Sequence, residues 1–284
     1  MSETILVVGA AGPNAGLVVP LLAKRGAQVR ALIRKSEQTD TVRRAGAAEV
    51  AIGDLRDRTS IDAALKNVTR LFYIAPAFIE HEAELGLAMV DAARRAGVQR
   101  IVFSSVIHPV LSDLVNHAAK ARVEEAILNS GLEYAFLHPA RFFQNYLVSW
   151  RKLAETGRLV EPWSVKTRFS RVDYRDVAEV AAIALTEEGL LGGTYELCAE
   201  GIHDSEAVAR LLTELLGRPI RAERSDPAQA APRGAPIGAM FRHYDSVGLV
   251  GNALTLRAIL GRAPRTLEHF FRELSTGTYP GPAS

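Results

Sequence analysis

The chain has 284 residues, a formal net charge of +2, 48% hydrophobic residues and 23% charged residues. This balance is ordinary for a globular protein of one large or two intertwined domains. The near-neutral charge gives no electrostatic basis for nucleic-acid binding, and the one cysteine, Cys198, excludes a disulfide framework within the chain and a cysteine-based zinc site.

The first predicted elements lie in an apolar stretch from Ile5 to Ala23 that could pass for a membrane segment. Glycines and Pro13 interrupt this stretch, whereas a spanning helix needs about 20 continuous apolar residues. Glu3 stands where a signal peptide carries positive charge. We therefore predict a cytoplasmic protein with a strand over 4–8, a glycine turn and a helix over 14–25.

Strand and helix patterns then alternate along the first half of the chain. Strands are predicted over 28–33, 48–52, 70–75, 99–105 and 132–138, and helices over 60–65, 80–96 and 115–130. Short strands rich in Val, Ile and Leu that alternate with helices are typical of a parallel sheet covered on both faces. The sequence therefore predicts an α/β fold built on a doubly wound parallel sheet.

The alternation is less regular after Pro139. Helices are predicted over 176–185 and 206–216, and Cys198 falls in a strand-like run, so a buried thiol is expected. Residues 221–238 are rich in Pro, Ala and Gly, which predicts a mobile connection. Such a segment is either a lid over a site or a loop without function.

A glycine-rich turn, V-V-G-A-A-G-P-N-A-G, follows the first predicted strand and opens the first helix. Gly9 permits a tight turn, and Gly12 lets the backbone approach a pyrophosphate without an intervening Cβ. The N-terminus of the helix offers N–H groups to an anion. The strand–turn–helix context therefore predicts a dinucleotide site, with a simple βα turn as the alternative.

The residues after the second strand indicate which dinucleotide binds. An NAD site usually has an acidic residue there for the ribose 2′-hydroxyl, whereas an arginine accommodates a 2′-phosphate. Arg34, Lys35 and Ser36 follow this strand without an acidic residue, so NADP(H) is favoured over NAD(H). Asp54, after the third strand, is interpreted as an adenine contact, a helix cap, or both.

These segments together resemble the NmrA-like family of atypical short-chain dehydrogenases/reductases over nearly the whole chain. The resemblance rests on G-A-A-G-P-N-A, R-A-L-I-R, G-D-L-R-D, I-V-F-S-S-V, K-A-R-V-E-E-A-I-L-N-S-G-L-E-Y, H-P-A-R-F-F-Q-N, D-Y-R-D-V-A-E-V-A and G-R-A-P-R-T-L-E-H-F. It implies a Rossmann-like NADP(H)-binding domain over 1–150 and a small C-terminal α+β substrate-binding part over 151–284. Segments around 170–200 are expected to return to the first domain.

The resemblance also implies a set of cofactor-binding residues, carried over position by position. The set is Gly9, Ala11, Gly12, Pro13, Asn14, Ala15, Arg34, Lys35, Asp54, Leu55, Ala75, Pro76, Ser104, Lys120, Pro139, Ala140, Phe142 and Phe143. Residues 9–15 are expected to hold the pyrophosphate, 75–76 to border the adenosine ribose, and 139–143 to flank the nicotinamide. His138 and Ala140 stand where the family commonly shows an arginine and a glycine.

The stretch N-H-A-A-K, residues 116–120, bears on catalysis. In related dehydrogenases a serine polarises the carbonyl, a tyrosine protonates the developing alkoxide, and a lysine lowers the pKa of that tyrosine. This chain has Val106, Asn116 and Lys120 at those positions, so two of the three groups cannot do this chemistry. Lys120 is interpreted as a ribose ligand or as a solvated helix lysine. Lys120 and His117 are the candidate catalytic residues, and no metal site is predicted.

Two functions stay open at this point. One is an NADPH-dependent reductase that delivers hydride to a quinone, an activated alkene or a dye-like substrate. The alternative is an NADP(H)-binding redox sensor or regulator without turnover. A run of aromatic residues either lines a flat apolar pocket, which favours the reductase, or belongs to the core. These residues are Phe142, Phe143, Tyr146, Trp150 and Trp163. The expected partner is a flat, apolar small molecule, without nucleic acid or membrane contact, and a homodimer is compatible with the sequence.

Overall fold

A computed structural model describes residues 3–76, 78–226 and 235–281. Its strands are β1 (Thr4–Val8), β2 (Gln28–Ile33), β3 (Glu49–Ile52), β4 (Arg70–Ile74), β5 (Arg100–Ser104), β6 (Glu133–Pro139), β7 (Arg141–Phe142), β8 (Arg158–Glu161), β9 (Phe169–Val172), β10 (Gly193–Leu197), β11 (Ile202–His203) and β12 (Arg221–Arg224). Its α-helices are α1 (Val18–Lys24), α2 (Thr39–Arg44), α3 (Arg58–Ala64), α4 (Glu82–Arg95), α5 (Val115–Leu128), α6 (Trp150–Thr156), α7 (Tyr174–Thr186), α8 (Ser205–Leu216), α9 (Ala235–Val247), α10 (Leu254–Leu260) and α11 (Leu267–Thr276).

Seven strands form one large sheet in the order β10-β6-β5-β4-β1-β2-β3. Every neighbouring pair in it is parallel. Helices α1 and α7 pack on one face, and α3, α4 and α5 pack on the other, each over its own apolar cluster. The predicted α/β fold with a doubly wound parallel sheet is therefore confirmed. The strand order reverses between β1 and β4, and sheets of this kind bind ligands at that point.

Two separate stretches of the chain contribute strands to the large sheet. After the excursion through β7, α6, β8 and β9, helix α7 packs against α1, and β10 then pairs with β6 as the edge strand. The remaining strands form two small sheets, β11-β9-β7 and β12-β8. The C-terminal part has its own apolar core, in which Phe270 and Phe271 of α11 are fully buried.

Two predictions differ from the structure in detail. The helix predicted over 14–25 begins as a 3₁₀ turn, Ala15–Leu17, and becomes α-helical only at Val18. Pro20 has no N–H to donate to a residue four positions earlier, so it fits only the first turn of an α-helix. Cys198 is buried but lies one residue beyond β10 rather than inside it.

The predicted mobile connection over 221–238 is wrong at its start, because residues 221–224 form strand β12. This strand pairs in parallel with β8, which satisfies the backbone groups that a loop would expose. The middle of the connection, residues 227–234, lies outside the described residues, and α9 follows it. No helix in the described ranges combines the length and the apolar character that a membrane crossing requires.

Candidate cofactor and active site

Two adjoining cavities lie at the carboxyl ends of the central strands. The small cavity has a volume of about 380 Å³ and lies against the residues that follow β1, β2 and β3. The large cavity has a volume of about 840 Å³ and extends to the C-terminal part. Gly9, Gly12, Ile74 and Pro76 line both cavities, so the two form one continuous cleft along the glycine-rich turn.

The glycine-rich turn has the geometry that a phosphate needs. Gly9 has a φ of 70°, which favours glycine, and its carbonyl accepts a hydrogen bond of 2.8 Å from the N–H of Gly12. A Cβ at Gly12 would lie 3.0 Å from that carbonyl oxygen, so the turn is closed to larger residues. The Oδ1 atom of Asn14 is buried without a hydrogen-bond partner among the described residues. Asn14 lines the large cavity, so a donor group of a bound ligand would supply the hydrogen bond that Oδ1 lacks.

Three cations stand at the far end of the small cavity. Arg34, Lys35 and Arg56 line it, and none of them forms an ion pair with another described residue. Such donors suit a phosphate on the adenosine ribose. The sequence analysis did not predict Arg56 as a site residue. The turn after β3 directs Arg56 to the cavity, and the shape of that turn is set by a hydrogen bond within the turn. Asp54 Oδ1 accepts from the N–H of Arg56 at 2.9 Å.

The helix-cap interpretation of Asp54 is wrong. Helix α3 is capped by Asp57, whose side chain accepts from the N–H of Thr59 at 3.0 Å. Asp54 instead lines the small cavity together with Leu55. Its Oδ1 is engaged by the N–H of Arg56, so Oδ2 stays available for a ligand in that cavity, as the adenine interpretation requires.

Lys120 is a buried residue, so the alternative of a solvated helix lysine is wrong. It is 6% exposed and lines the large cavity. Its Nζ lies 2.6 Å from Oε1 of Glu82 on α4, and Oε2 of Glu82 accepts from the N–H of Phe78 at 2.9 Å. The sequence prediction missed Glu82, because its partner lies on a different helix, 38 residues away.

His117 lies behind the large cavity rather than in it. Its Nδ1 is 2.9 Å from the carbonyl oxygen of His108, and its Nε2 is 3.0 Å from the hydroxyl of Tyr244. A carbonyl only accepts, so Nδ1 carries the proton, and the neutral ring accepts from Tyr244 at Nε2. Burial lowers the pKa of His117 to about 4. His117 thus holds Tyr244, which lines the cavity, and is itself removed from a ligand.

The positions of the missing serine and tyrosine both face the large cavity. Val106 and Asn116 line it, and Oδ1 of Asn116 is buried without a hydrogen-bond partner among the described residues. Ser105 lines the cavity as well and donates from Oγ to Glu124. The cleft therefore has polar contacts for a ligand near Lys120, without a tyrosine at position 116.

All the predicted cofactor-binding residues line one of the two cavities except two. Ser104 is fully buried, and its Oγ accepts from the Tyr174 hydroxyl at 3.0 Å, so Ser105 takes the place at the cavity. Phe143 is 1% exposed and packs on Phe270 in the C-terminal core. Phe142 is extended and Phe143 begins a 3₁₀ turn, Phe143–Val148, so the backbone changes direction between these neighbours and their side chains separate.

The predicted aromatic residues divide between cavity and core. Phe142 and Trp163 line the large cavity, whereas Phe143, Tyr146 and Trp150 pack in the C-terminal core. Helix α9 supplies further apolar side chains that sequence reasoning missed. These are Met240, Phe241 and Tyr244. The described residues contain no group of three or more His, Cys, Asp or Glu side chains placed to hold a metal ion.

The doubly wound sheet, the glycine turn and the cleft define a dinucleotide-binding protein of the Rossmann type. The chain belongs to the NmrA-like family, which it matches over residues 1–255.

Several known proteins are similar to this chain. An NAD(P)H azoreductase of Xenophilus azovorans is 28% identical over 277 residues, which cover 94% of this chain and 96% of the relative. A (4-alkanoyl-5-oxo-2,5-dihydrofuran-3-yl)methyl phosphate reductase of Streptomyces griseus is 35% identical over 223 residues, or 77% of this chain and 76% of the relative. The crystal structure of an NADPH-dependent quinone oxidoreductase of Escherichia coli, complexed with NADPH, has a TM-score of 0.85 at 24% identity. That comparison covers 95% of this chain and 99% of the other.

Proposed function

We propose that this protein is an NADPH-dependent reductase that delivers hydride to a flat, apolar acceptor such as a quinone, an activated alkene or a dye. The observation that carries the proposal is the continuous cleft. One end of it has a phosphate-binding turn and three cations, and the other opens into a cavity with aromatic walls. A protein that only bound the nucleotide would have no need of the part of that cavity beyond the nicotinamide, where Trp163 and Phe241 lie.

The cofactor is NADP(H) rather than NAD(H). Arg34, Lys35 and Arg56 line the small cavity without a carboxylate partner, which suits the 2′-phosphate. The relation to an NAD(P)H azoreductase along 94% of this chain supports the same cofactor class. Residues 9–15 would hold the pyrophosphate, and Lys120 with Asn116 would hold the ribose beside the nicotinamide.

When bound, NADPH supplies the hydride at the nicotinamide end of the cleft. Ala140 and Phe142 would border that end and exclude water from it. Trp163 and Phe241 offer aromatic surface for a flat acceptor. Asn116 is no general acid, so the acceptors that suit this cavity are those that need little proton transfer during the hydride step.

Two relatives support turnover over sensing, since both are named as reductases. Their substrates differ from each other, so the relatives support the reaction class only. The acceptor is inferred from the residues that line the cavity. The large cavity has no carboxylate on its wall among the described residues, and its lysine is neutralised by Glu82. This wall offers aromatic surface and no negative charge to an acceptor.

The test is a screen of NADPH oxidation with quinones, enones, azo dyes and triphenylmethane dyes. The protein is expected to oxidise NADPH with at least one of these classes, and faster than it oxidises NADH. Calorimetry on the same preparation measures NADPH binding. Tight NADPH binding without oxidation in any class would favour a nucleotide sensor and overturn the proposal.

A further inference from the structure

A buried cluster of two positively charged side chains and one negatively charged side chain lies beside the large cavity. Arg141 Nη2 lies 2.6 Å from Glu161 Oε1, and Arg171 Nη2 lies 4.0 Å from Glu161 Oε2. Glu161 and Arg171 are 4% and 1% exposed. Two guanidinium groups therefore share one carboxylate, which leaves one positive charge in the cluster without a counter-charge among the residues that the structure describes.

The other polar groups around this cluster do not supply the missing negative charge. Trp163 Nε1 and Ser205 Oγ both donate to Glu161, at 3.1 and 2.7 Å. Burial and the nearby Arg171 lower the pKa of His203, so that ring is neutral at pH 7. Asp204 accepts from the N–H of Ala207 at the start of α8, at 2.7 Å, and forms no ion pair with Arg141 or Arg171.

Arg171 is the weakly paired guanidinium, and Arg141 is the member of this net-positive cluster that reaches the large cavity. It lines the cavity, and its guanidinium carbon lies over the ring of Trp163, 4.7 Å from the ring centre. A guanidinium has five N–H donors. Besides Glu161, the described side chains give it one long hydrogen bond, 3.4 Å to the Tyr146 hydroxyl. Its side chain keeps 14% exposure, so donors remain for a ligand.

This charge meets a need of the proposed reaction. Hydride addition to a quinone or an enone brings two electrons and one hydrogen to the acceptor and leaves a negative charge on its oxygen. A proton from solvent then completes the reduction. A fixed cation in a water-poor cavity stabilises such a charge more strongly than water does, and position 116 has no tyrosine to protonate it.

We infer that Arg141 is a catalytic residue that binds the acceptor oxygen and stabilises the negative charge it gains, and that the large cavity prefers ligands with an anionic oxygen beside an aromatic ring. The catalytic role rests on the proposed function. The binding preference does not, since it needs only the cluster and the cavity.

The binding preference is tested by calorimetry on the protein saturated with NADP⁺, with 2-naphthoate and 2-naphthamide as probes. The two probes share shape and ring, and saturation with NADP⁺ fills the phosphate site. The protein is expected to bind naphthoate at least about tenfold more tightly, the lower range of a charge-assisted hydrogen bond. Equal affinity for the two probes overturns the inference.

Two variants assign the preference to Arg141. Arg141→Met leaves Arg171 and Glu161 as one charge of each sign, so the buried cluster becomes neutral and the preference is expected to disappear. Arg151→Met is the matched control, because Arg151 lies on α6 with a side chain 92% exposed, and it should keep the preference. A preference that survives in Arg141→Met, with NADPH binding retained as the check on folding, lies elsewhere in the cavity and contradicts the inference.

Kinetics then separate this inference from the proposed function. Arg141→Met should lose kcat for enones by a larger factor than for quinones, because quinones stabilise the added charge themselves, while its affinity for NADPH stays unchanged. Equal loss for both acceptors contradicts the catalytic role. A protein that prefers naphthoate but reduces no acceptor refutes the proposed function and leaves the anion site standing.

Discussion

Lys120 and Glu82 depend on each other inside the protein. Both side chains are less than a tenth exposed, and their charged atoms lie 2.6 Å apart. Lys120→Ala should reduce the free energy of unfolding by about 3–5 kcal/mol, because it leaves a buried carboxylate without its cation. Urea unfolding measures this loss.

The double variant Lys120→Ala with Glu82→Gln provides the control for that prediction. It removes both charges and should recover a large part of the stability. NADPH binding should stay weak in the double variant, because the proposed ribose contact of Lys120 is still missing. Full recovery of NADPH affinity would contradict that contact.

Arg34 is expected to set the cofactor preference. Arg34→Ala should raise the Kd for NADPH by about 10- to 100-fold, the effect of losing a charge-assisted contact, and leave NADH almost unchanged. Arg58→Ala is a suitable control, since Arg58 is 74% exposed on the neighbouring α3 and does not line the small cavity. Equal affinity of the unmodified protein for both cofactors, by calorimetry, would contradict the preference.

His117 should make the protein sensitive to mild acid. Its pKa is lowered from 6.5 to about 4 by burial, so between these values the unfolded chain binds a proton that the folded protein does not. Stability is then complete above about pH 6.5 and declines as the pH falls towards 4, by up to about 3 kcal/mol. The free energy of unfolding at several pH values, compared between the unmodified protein and His117→Gln, checks this. The same decline in both would assign it to other groups.

The residues at the site differ in how far the sequence reveals them. Arg34 directly follows the apolar residues of β2, so the local sequence pattern is enough to place it at the end of that strand. Tyr244 reaches His117 across 127 residues, and Glu82 reaches Lys120 across 38. Such pairings depend on how helices pack on the sheet, and no local pattern in the chain carries that information.

At the scale of elements, the close packing of α4 on α5 keeps Glu82 and Lys120 together. A Cβ at Gly86 would overlap Cγ2 of Val123, so the two helices meet where α4 has no side chain. Gly86→Ala should therefore destabilise the protein by about 1–3 kcal/mol, although alanine favours helix. Thermal or urea unfolding measures the change.

Val123→Ala provides the matched test of this packing. The combination of Gly86→Ala and Val123→Ala should cost less than the sum of the two single changes, because the smaller side chain makes room for the new methyl group. Ala88→Gly, on the exposed side of α4, measures the helix preference alone. Strictly additive effects would contradict a contact between positions 86 and 123.

The elements of the large sheet were predicted well because most of their strands have an apolar centre, as in β5, where Ile101, Val102 and Phe103 are fully buried. The predictions failed where one element takes its form from another. Strand β12 exists through its pairing with β8, and its own residues, R-A-E-R, have no strand pattern.

At the scale of the whole molecule, the large sheet depends on residues far along the chain. Helix α7 covers α1, and β10 completes the sheet edge beside β6. A fragment of residues 1–150 lacks both, so it should show no cooperative thermal transition by circular dichroism and no NADPH binding, unlike the full chain. A cooperative transition with NADPH binding in the fragment would show that α7 and β10 are dispensable.

The return of α7 and β10 also has a consequence for synthesis on the ribosome. The first six strands of the large sheet are complete at Pro139, but the apolar surface of α1 has no cover until Thr186 has left the exit tunnel. During that interval the nascent chain exposes an apolar surface and an unpaired strand edge, both of which promote aggregation. We therefore expect ribosome-bound chains that end between these two points to be the ones that chaperones hold.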